Sequence, residues 1–219
     1  MRRHSITLWV KGMAQGATND IFEVIYNCRA MRRIKPEPVP DELLVKLVDA
    51  ANQGPTASNA QPGRWIIVKD PGIKSKLAEL NRKAIDRSYP EQPADAPKTA
   101  FRWQYEHMQD IPALIVACVS RRNRSADTFY TGVTAGGSMW PAVENLLLTA
   151  RALGLGACPT TLPLQDRTAA KAALNMPEHV EPICLIPVGY PKGKFGPVTR
   201  RPLDHILHWD RWKPGDEPE

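Results

Sequence analysis

The sequence predicts an α+β fold, a small sheet flanked by helices, and three features carry that expectation. A stretch beginning at Asp41 sets Leu43, Leu44, Leu47, Val48 and Ala51 on one helical face. The run from Pro112 to Val119 is almost wholly apolar, as a central strand covered on both faces must be. A second helical pattern, at 138–153, carries Val143, Leu146, Leu147, Ala150 and Leu153 and ends in Gly154-Leu155-Gly156.

The other elements fall around these in order. Residues 1–17 read as a loose arm. A helix over 19–28 follows, with Asn19 or Asp20 as its cap. Pro36, Pro38 and Pro40 keep the next stretch extended. Pro40 then opens the helix with Asp41 and Glu42 in its first turn, and Gly54-Pro55 blocks its end. Segment 64–69 reads as a strand and 72–86 as a helix. The Pro- and Ala-rich stretch 87–100 reads as a mobile excursion, and 87–110 as a lid over any site. A short strand at 157–161, a helix near 165–175 and a strand at 181–189 complete the frame.

Bulk properties narrow the function. The 219 residues suffice for one α+β domain, taken as 18–219. No apolar run approaches the roughly 20 residues needed to cross a bilayer. The N-terminal apolar stretch is too short for a secretory leader, so a cytoplasmic protein is expected. The net charge is +6 and the pI about 9.2. The arginines are scattered in small clusters with few aromatics beside them, which argues against nucleic acid and for clamping one phosphate. Cys28, Cys118, Cys158 and Cys184 are widely spaced, and His205 and His208 lack a third ligand, so neither a disulfide framework nor a metal is expected. His107 reads as a helix-surface residue, and Trp103 and Trp140 as packing or lid aromatics.

Four polar loops stand where elements end, the places scaffolds use for ligands. Arg29-Ala30-Met31-Arg32-Arg33 offers guanidinium forks that suit a phosphate, or else is a solvated basic turn. Pro55-Thr56-Ala57-Ser58-Asn59-Ala60-Gln61-Pro62 combines small residues, which let a flat ring approach, with amides that donate and accept. Taken alone it is equally an ordinary turn. Gly154-Leu155-Gly156-Ala157-Cys158-Pro159-Thr160-Thr161-Leu162 enters a strand after a helix, so its glycines are not a dinucleotide fingerprint. Arg200-Arg201-Pro202-Leu203 adds cations near the C-terminus.

In this order the loops resemble the nitroreductase superfamily of flavoenzymes, from about residue 20 to 212. That family opens with an Arg-rich element and an extended Pro-Val-Pro, here Arg29, Arg32 and Pro38-Val39-Pro40. Its next loop is similar to Pro55 through Pro62, and its late segments to Leu185-Ile186-Pro187-Val188-Gly189-Tyr190-Pro191, Arg200-Arg201-Pro202-Leu203 and His208-Trp209-Asp210-Arg211-Trp212. The resemblance implies a nitroreductase-like fold with a small mixed central sheet, and a homodimer with FMN at the interface. It implies that Arg29 and Arg200 hold the FMN phosphate and that Arg32 lies at the pyrimidine edge, stabilising the reduced ring. Pro55, Thr56, Ala57, Ser58, Asn59 and Gln61 would reach the flavin from the partner subunit, and Thr160, Thr161 and Leu162 would face its N5. No protein side chain is assigned as the catalytic group, because the flavin carries the chemistry.

Two positions depart from the family pattern. Ala30 stands in place of a common serine, and Cys28 where a further arginine is frequent; Arg33 or Arg201 would supply the missing contacts. The implied activity is ping-pong reduction of a small-molecule acceptor, a nitroaromatic or quinone, with NADH or NADPH as donor. Thr160-Thr161-Leu162-Pro163-Leu164 is also similar to the iodotyrosine deiodinase branch, whose lid carries Glu, Tyr and Lys, but 79–105 holds no convincing copy of that set. A flavin-storage or sensor protein without turnover is the remaining alternative.

Overall fold

A computed structural model describes residues 16–88, 100–120 and 136–212. Its elements are α1 (Ile21–Asn27), α2 (Asp41–Ala51), β1 (Gly63–Val68), α3 (Pro71–Ser88), α4 (Ala100–His107), β2 (Ala113–Ser120), α5 (Trp140–Ala152), β3 (Gly156–Ala157), α6 (Arg167–Ala173) and β4 (Val180–Gly189). Local chemistry sets the boundaries. Asp20 accepts from the Glu23 amide and caps α1, and Asp166 does the same for α6 through the Ala169 amide. Gly154, at φ +77°, supplies the left-handed turn just past α5.

The four strands lie in the order β1-β2-β4-β3. Every described pairing is antiparallel, so the expected mixed sheet is corrected. The reason lies in the connections. β2 begins beside the end of β1, with Val68 opposite Leu114, and β4 begins beside the end of β2, with Ser120 opposite Val180. The intervening helices return the chain to the sheet end it left, and a strand entered from there runs antiparallel.

The near-continuous apolar character of β2 and β4 divides between two cores with the pleat's period of two. Ile115, Ala117 and Val119 of β2, with Cys184, Ile186 and Val188 of β4, pack beneath α2 and α5 against Leu44, Leu47, Val143 and Leu146. Leu114, Val116 and Cys118, with Leu185, face α3 and the turn after α4 through Leu77, Ala78, Met108 and Ile111. One irregularity interrupts the β2–β4 ladder: Ala117 pairs with Cys184 but Cys118 pairs with Pro182, leaving Ile183 as the extra residue. Pro182 has no N–H to lose there, which is why a bulge tolerates it.

Other expectations shift at the edges. The strand read at 157–161 shrinks to Gly156–Ala157 plus an isolated bridge between Thr160 and Leu185, because Pro159 cannot donate. The helix read at 165–175 is the shorter α6, entered through a tight turn at Leu162–Leu164. Arg87 and Ser88 continue α3, and α4 with the turn Met108–Asp110 occupies the far end of the presumed lid; 89–99 lie outside the described residues. The arm read at 1–17 also falls outside them except for its end, which is tied down. Arg151 donates to the Gly16 carbonyl at 2.6 Å, and the Thr18 amide to Ala152 at 3.0 Å.

Candidate active site

The Arg-rich segment hangs on the β3 edge of the sheet. The Met31 amide donates to Ala157, the Lys192 amide to Arg33 and the Lys35 amide to Tyr190, at 2.8–3.1 Å, while Ile34 bridges to Pro191. Met31 and Ile34 are buried in the α3-side core. Arg32 therefore sits between two anchored neighbours, its backbone fixed and its side chain free to face outward.

That side chain lines a recess of about 290 Å³ together with Gln104, Trp140, Pro159, Thr160, Thr161 and Leu162. The sequence reading paired Arg32 with Thr160–Leu162, and the recess brings them together. Arg32 has no ion-pair or hydrogen-bond partner among the described residues, although its charge reaches the Cys158 thiol. Thr160 is held in place by mutual backbone hydrogen bonds with Leu185 at 2.8 Å, and its hydroxyl accepts from the Leu162 amide. Trp140 stands 44% exposed at the recess, so it lines the site as well as packing.

Gln104 escaped the sequence reading, which marked its neighbour Trp103. The signal was a polar residue on the buried side of a helix, four residues before the fully buried Met108. Gln104 is 4% exposed, and its Nε2 has no hydrogen-bond partner among the described residues. A buried, unsatisfied amide costs about 1–3 kcal/mol. Asn81 Nδ2, Trp103 Nε1 and Arg151 Nε are in the same state.

The adjacent Trp103 has a different task. Lys192 Nζ lies 3.9 Å and the Arg33 guanidinium 5.8 Å from its ring centroid, and His107 packs against it at 4.0 Å. Arg33 is thus engaged with α4 and lies outside the recess lining. His107 faces Asp110, 3.1 Å from its carboxylate.

The loop at 55–61 does not line the recess within one chain. It precedes β1, at the opposite edge of the sheet from Thr160, three strand spacings of about 4.8 Å away. The Ala57 amide donates to Ser138 Oγ at 3.2 Å, two residues before Trp140. Ser58, Asn59 and Gln61 adopt left-handed φ values of 49°, 54° and 47°. Such conformations cost about 1–3 kcal/mol each for residues other than glycine. The loop holds them through Asn59 N to Thr56 O, Gln61 N to Thr56 Oγ1 and Gln61 Nε2 to Asn59 Oδ1. Pro55, Ala57, Ser58, Asn59 and Gln61 are exposed and Thr56 half-buried, so a rigid, strained surface faces outward. Arg29, Ala30 and Arg200 are exposed as well, outside the recess, and Arg200 donates to the Thr199 carbonyl.

A larger cleft of about 610 Å³ lies beside Gly16; the terminal nitrogens of its buried Arg151 are engaged by Gly16 and Glu23 and its guanidinium lies over the Phe195 ring, while its Nε has no hydrogen-bond partner among the described residues. Burial raises all four thiols, Cys28 to about 11 and Cys118 and Cys184 to about 12, so each is protonated at neutral pH and unsuited to nucleophilic work. No cluster of three His, Cys, Asp or Glu residues that could hold a metal occurs among the described residues. No helix among them is long and apolar enough to cross a membrane.

Comparison with known families fits this geometry. The signature described as "Nitroreductase family" matches residues 25–190, which include the Arg-rich segment, the strained loop, α4 and the whole sheet. The chain belongs to the nitroreductase family. A relative from Methanothermobacter thermautotrophicus, provisionally named NADH dehydrogenase/NAD(P)H nitroreductase, is 31% identical over 196 residues, 88% of each chain. Iodotyrosine deiodinase 1 of Rattus norvegicus is 26% identical over 205 residues, 87% of this nitroreductase-family chain and 69% of its own. The crystal structure of oxidized iodotyrosine deiodinase bound to FMN and 3-iodo-L-tyrosine superposes with a TM-score of 0.71 at 23% identity, over 88% of this chain and 100% of that one. That last likeness is one of fold.

Proposed function

We propose that this chain is an FMN-dependent oxidoreductase that takes reducing equivalents from NADH or NADPH and reduces electron-poor acceptors such as nitroaromatics and quinones. The observation that carries the reading is the recess itself. It sets an uncommitted guanidinium and an uncommitted buried carboxamide beside the bridge-held Thr160 and Thr161. These groups fit a flat heterocycle whose edge alternates hydrogen-bond acceptors and donors. When bound, FMN would supply hydride transfer between a nicotinamide donor and the acceptor, the two substrates using one place in turn.

This chain's residues supply binding and electrostatics. Arg32 holds the pyrimidine edge and favours negative charge on the reduced ring. Arg29 and Arg200, both exposed at the surface, take the phosphate. Thr160, Thr161 and Leu162 support the ring near N5. The preformed loop Pro55–Asn59, with Gln61, completes the site from a second copy of the chain, across the face that leaves Ile21, Phe22, Ile25 and Tyr26 of α1 exposed. A homodimer is the assembly this requires.

A second reading, reductive dehalogenation, draws support from the likeness to the rat deiodinase and from the Thr160–Leu164 run. Titration of the purified protein with FMN, followed by flavin fluorescence, tests the shared part of both readings. Saturable quenching at one FMN per chain is the expected outcome, with a sedimentation coefficient for a dimer. An FMN signal that stays unchanged at every protein concentration contradicts both. Turnover of a nitroaromatic but not of an iodinated tyrosine separates them.

A further inference from the structure

We infer that the cleft beside Gly16 is a small-molecule site in its own right, and that it takes a flat carboxylate of the aromatic-acid class. The inference does not rest on the flavin reading, because the cleft and the Arg32 recess share no lining residue. Its volume of about 610 Å³ suits a small organic ligand, for which pockets run from about 300 to 1,000 Å³. The walls are fixed before any ligand arrives. Arg151 and Gly154 stand at the end of α5, and Glu23 on α1. The 190–195 wall is tied to the 34–35 segment by the Lys35 amide on Tyr190, at 2.8 Å, and by the bridge between Ile34 and Pro191.

The hydrogen-bonding balance of the lining gives the ligand's charge. Both carboxylates are already engaged. Glu23 accepts from Arg151 at 3.1 Å and from the Thr18 hydroxyl at 2.7 Å, and Glu37 faces Lys35 at 3.8 Å. The donors are not all engaged. Arg151 is 5% exposed and its Nε has no hydrogen-bond partner among the described residues. Lys194 and the Tyr190 hydroxyl have none among those residues either. Three unmet donors with no unmet carboxylate beside them call for an anion that has more than one acceptor oxygen. The apolar part of the lining gives the ligand's shape. Gly16, Gly154 and Gly193 present bare backbone, and Phe195 holds its ring 4.4 Å from the Arg151 guanidinium. A planar body meets bare backbone and ring at little cost in its own freedom.

Calorimetric titration of the full chain with 2-naphthoate, and with its neutral counterpart 2-naphthamide, tests this. Saturable naphthoate binding is expected, with naphthamide about tenfold weaker, because hydrogen bonds to a charged group are the stronger ones. Lys194→Ala is expected to weaken naphthoate about threefold, the scale of an exposed ion pair, and to leave naphthamide unchanged. The two ligands then differ by only about threefold in the variant. Lys194 is exposed, so the variant should unfold at the wild-type temperature. Arg32→Ala, in the recess, should leave the Lys194-dependent binding intact. Equal weakening of acid and amide by Lys194→Ala overturns the assignment. So does naphthoate binding that Arg32→Ala abolishes and Lys194→Ala spares, and so does a wild type that binds no naphthoate. None of these readouts involves FMN, so their failure leaves the flavin reading standing.

Discussion

Arg32→Ala lowers FMN affinity by about tenfold to a hundredfold and moves the midpoint potential of the bound flavin to a more negative value. Both effects have one cause. A hydrogen bond to a charged group contributes about 1.5–3 kcal/mol, and this guanidinium has no competing carboxylate among the described residues. Its loss penalises the oxidised ring modestly and the reduced ring more, since the cation favours negative charge there. Arg32→Lys should recover part of the potential but less of the affinity, because an ammonium lacks the planar fork. Arg167→Ala serves as the control: Arg167 is exposed and paired with Glu181, away from the recess. Fluorescence titration and spectroelectrochemistry of the three variants read both quantities. Arg167→Ala matching Arg32→Ala in both would remove Arg32 from the site.

Gly189→Val destabilises the fold by about 3 kcal/mol, the scale of overpacking a close contact, and lowers Tm by roughly 10 °C. A Cβ at Gly189 would lie 2.5 Å from Ile34 Cγ2 and 2.7 Å from Pro112 Cγ. Neither neighbour can retreat easily. Ile34 is pinned by its bridge to Pro191, and Pro112 leads directly into β2. Because Ile34 stands two residues after Arg32, the displacement also reaches the recess, so the variant should lose FMN affinity along with stability. Thermal unfolding checks the first effect and flavin titration the second. A Tm within about 2 °C of the wild type would mean that the β4 terminus is looser than its contacts imply.

The sequence made the frame legible wherever burial imposes a period. The inward face of α2, the apolar β2 and the glycine stop after α5 are written in single residue types, and the structure keeps all three. Strand direction was not legible in that way. An antiparallel strand covered by helices on both faces shows the same unbroken apolar run as a parallel one, so β2 could not reveal the direction of its neighbours. The short β3 was hidden because Pro159 and the isolated Thr160 bridge look locally like a continuing strand.

The site divided along similar lines. Arg32 and Thr160–Leu162 stood out because a distinctive loop carries each, and one recess at the sheet edge brings them together. The loop at 55–61 was read from its composition, but its three left-handed residues were not visible, since Ser, Asn and Gln do not mark positive φ as glycine does. Gln104 was missed because its significance is an unmet hydrogen bond, which only packing reveals. The position of Arg33 over Trp103 was hidden for a similar reason: the sequence shows no sign that the ring lies close to it.

The most direct test is anaerobic addition of NADH, and separately NADPH, to the FMN-loaded protein, followed by a nitroaromatic or a quinone, with the flavin absorbance recorded throughout. The account expects the visible flavin band to bleach with at least one donor and to return when the acceptor is added, with the two steps separable in time. A flavin that stays oxidised with both donors, in a protein that binds FMN tightly, would contradict the oxidoreductase reading and leave a flavin-binding protein without turnover.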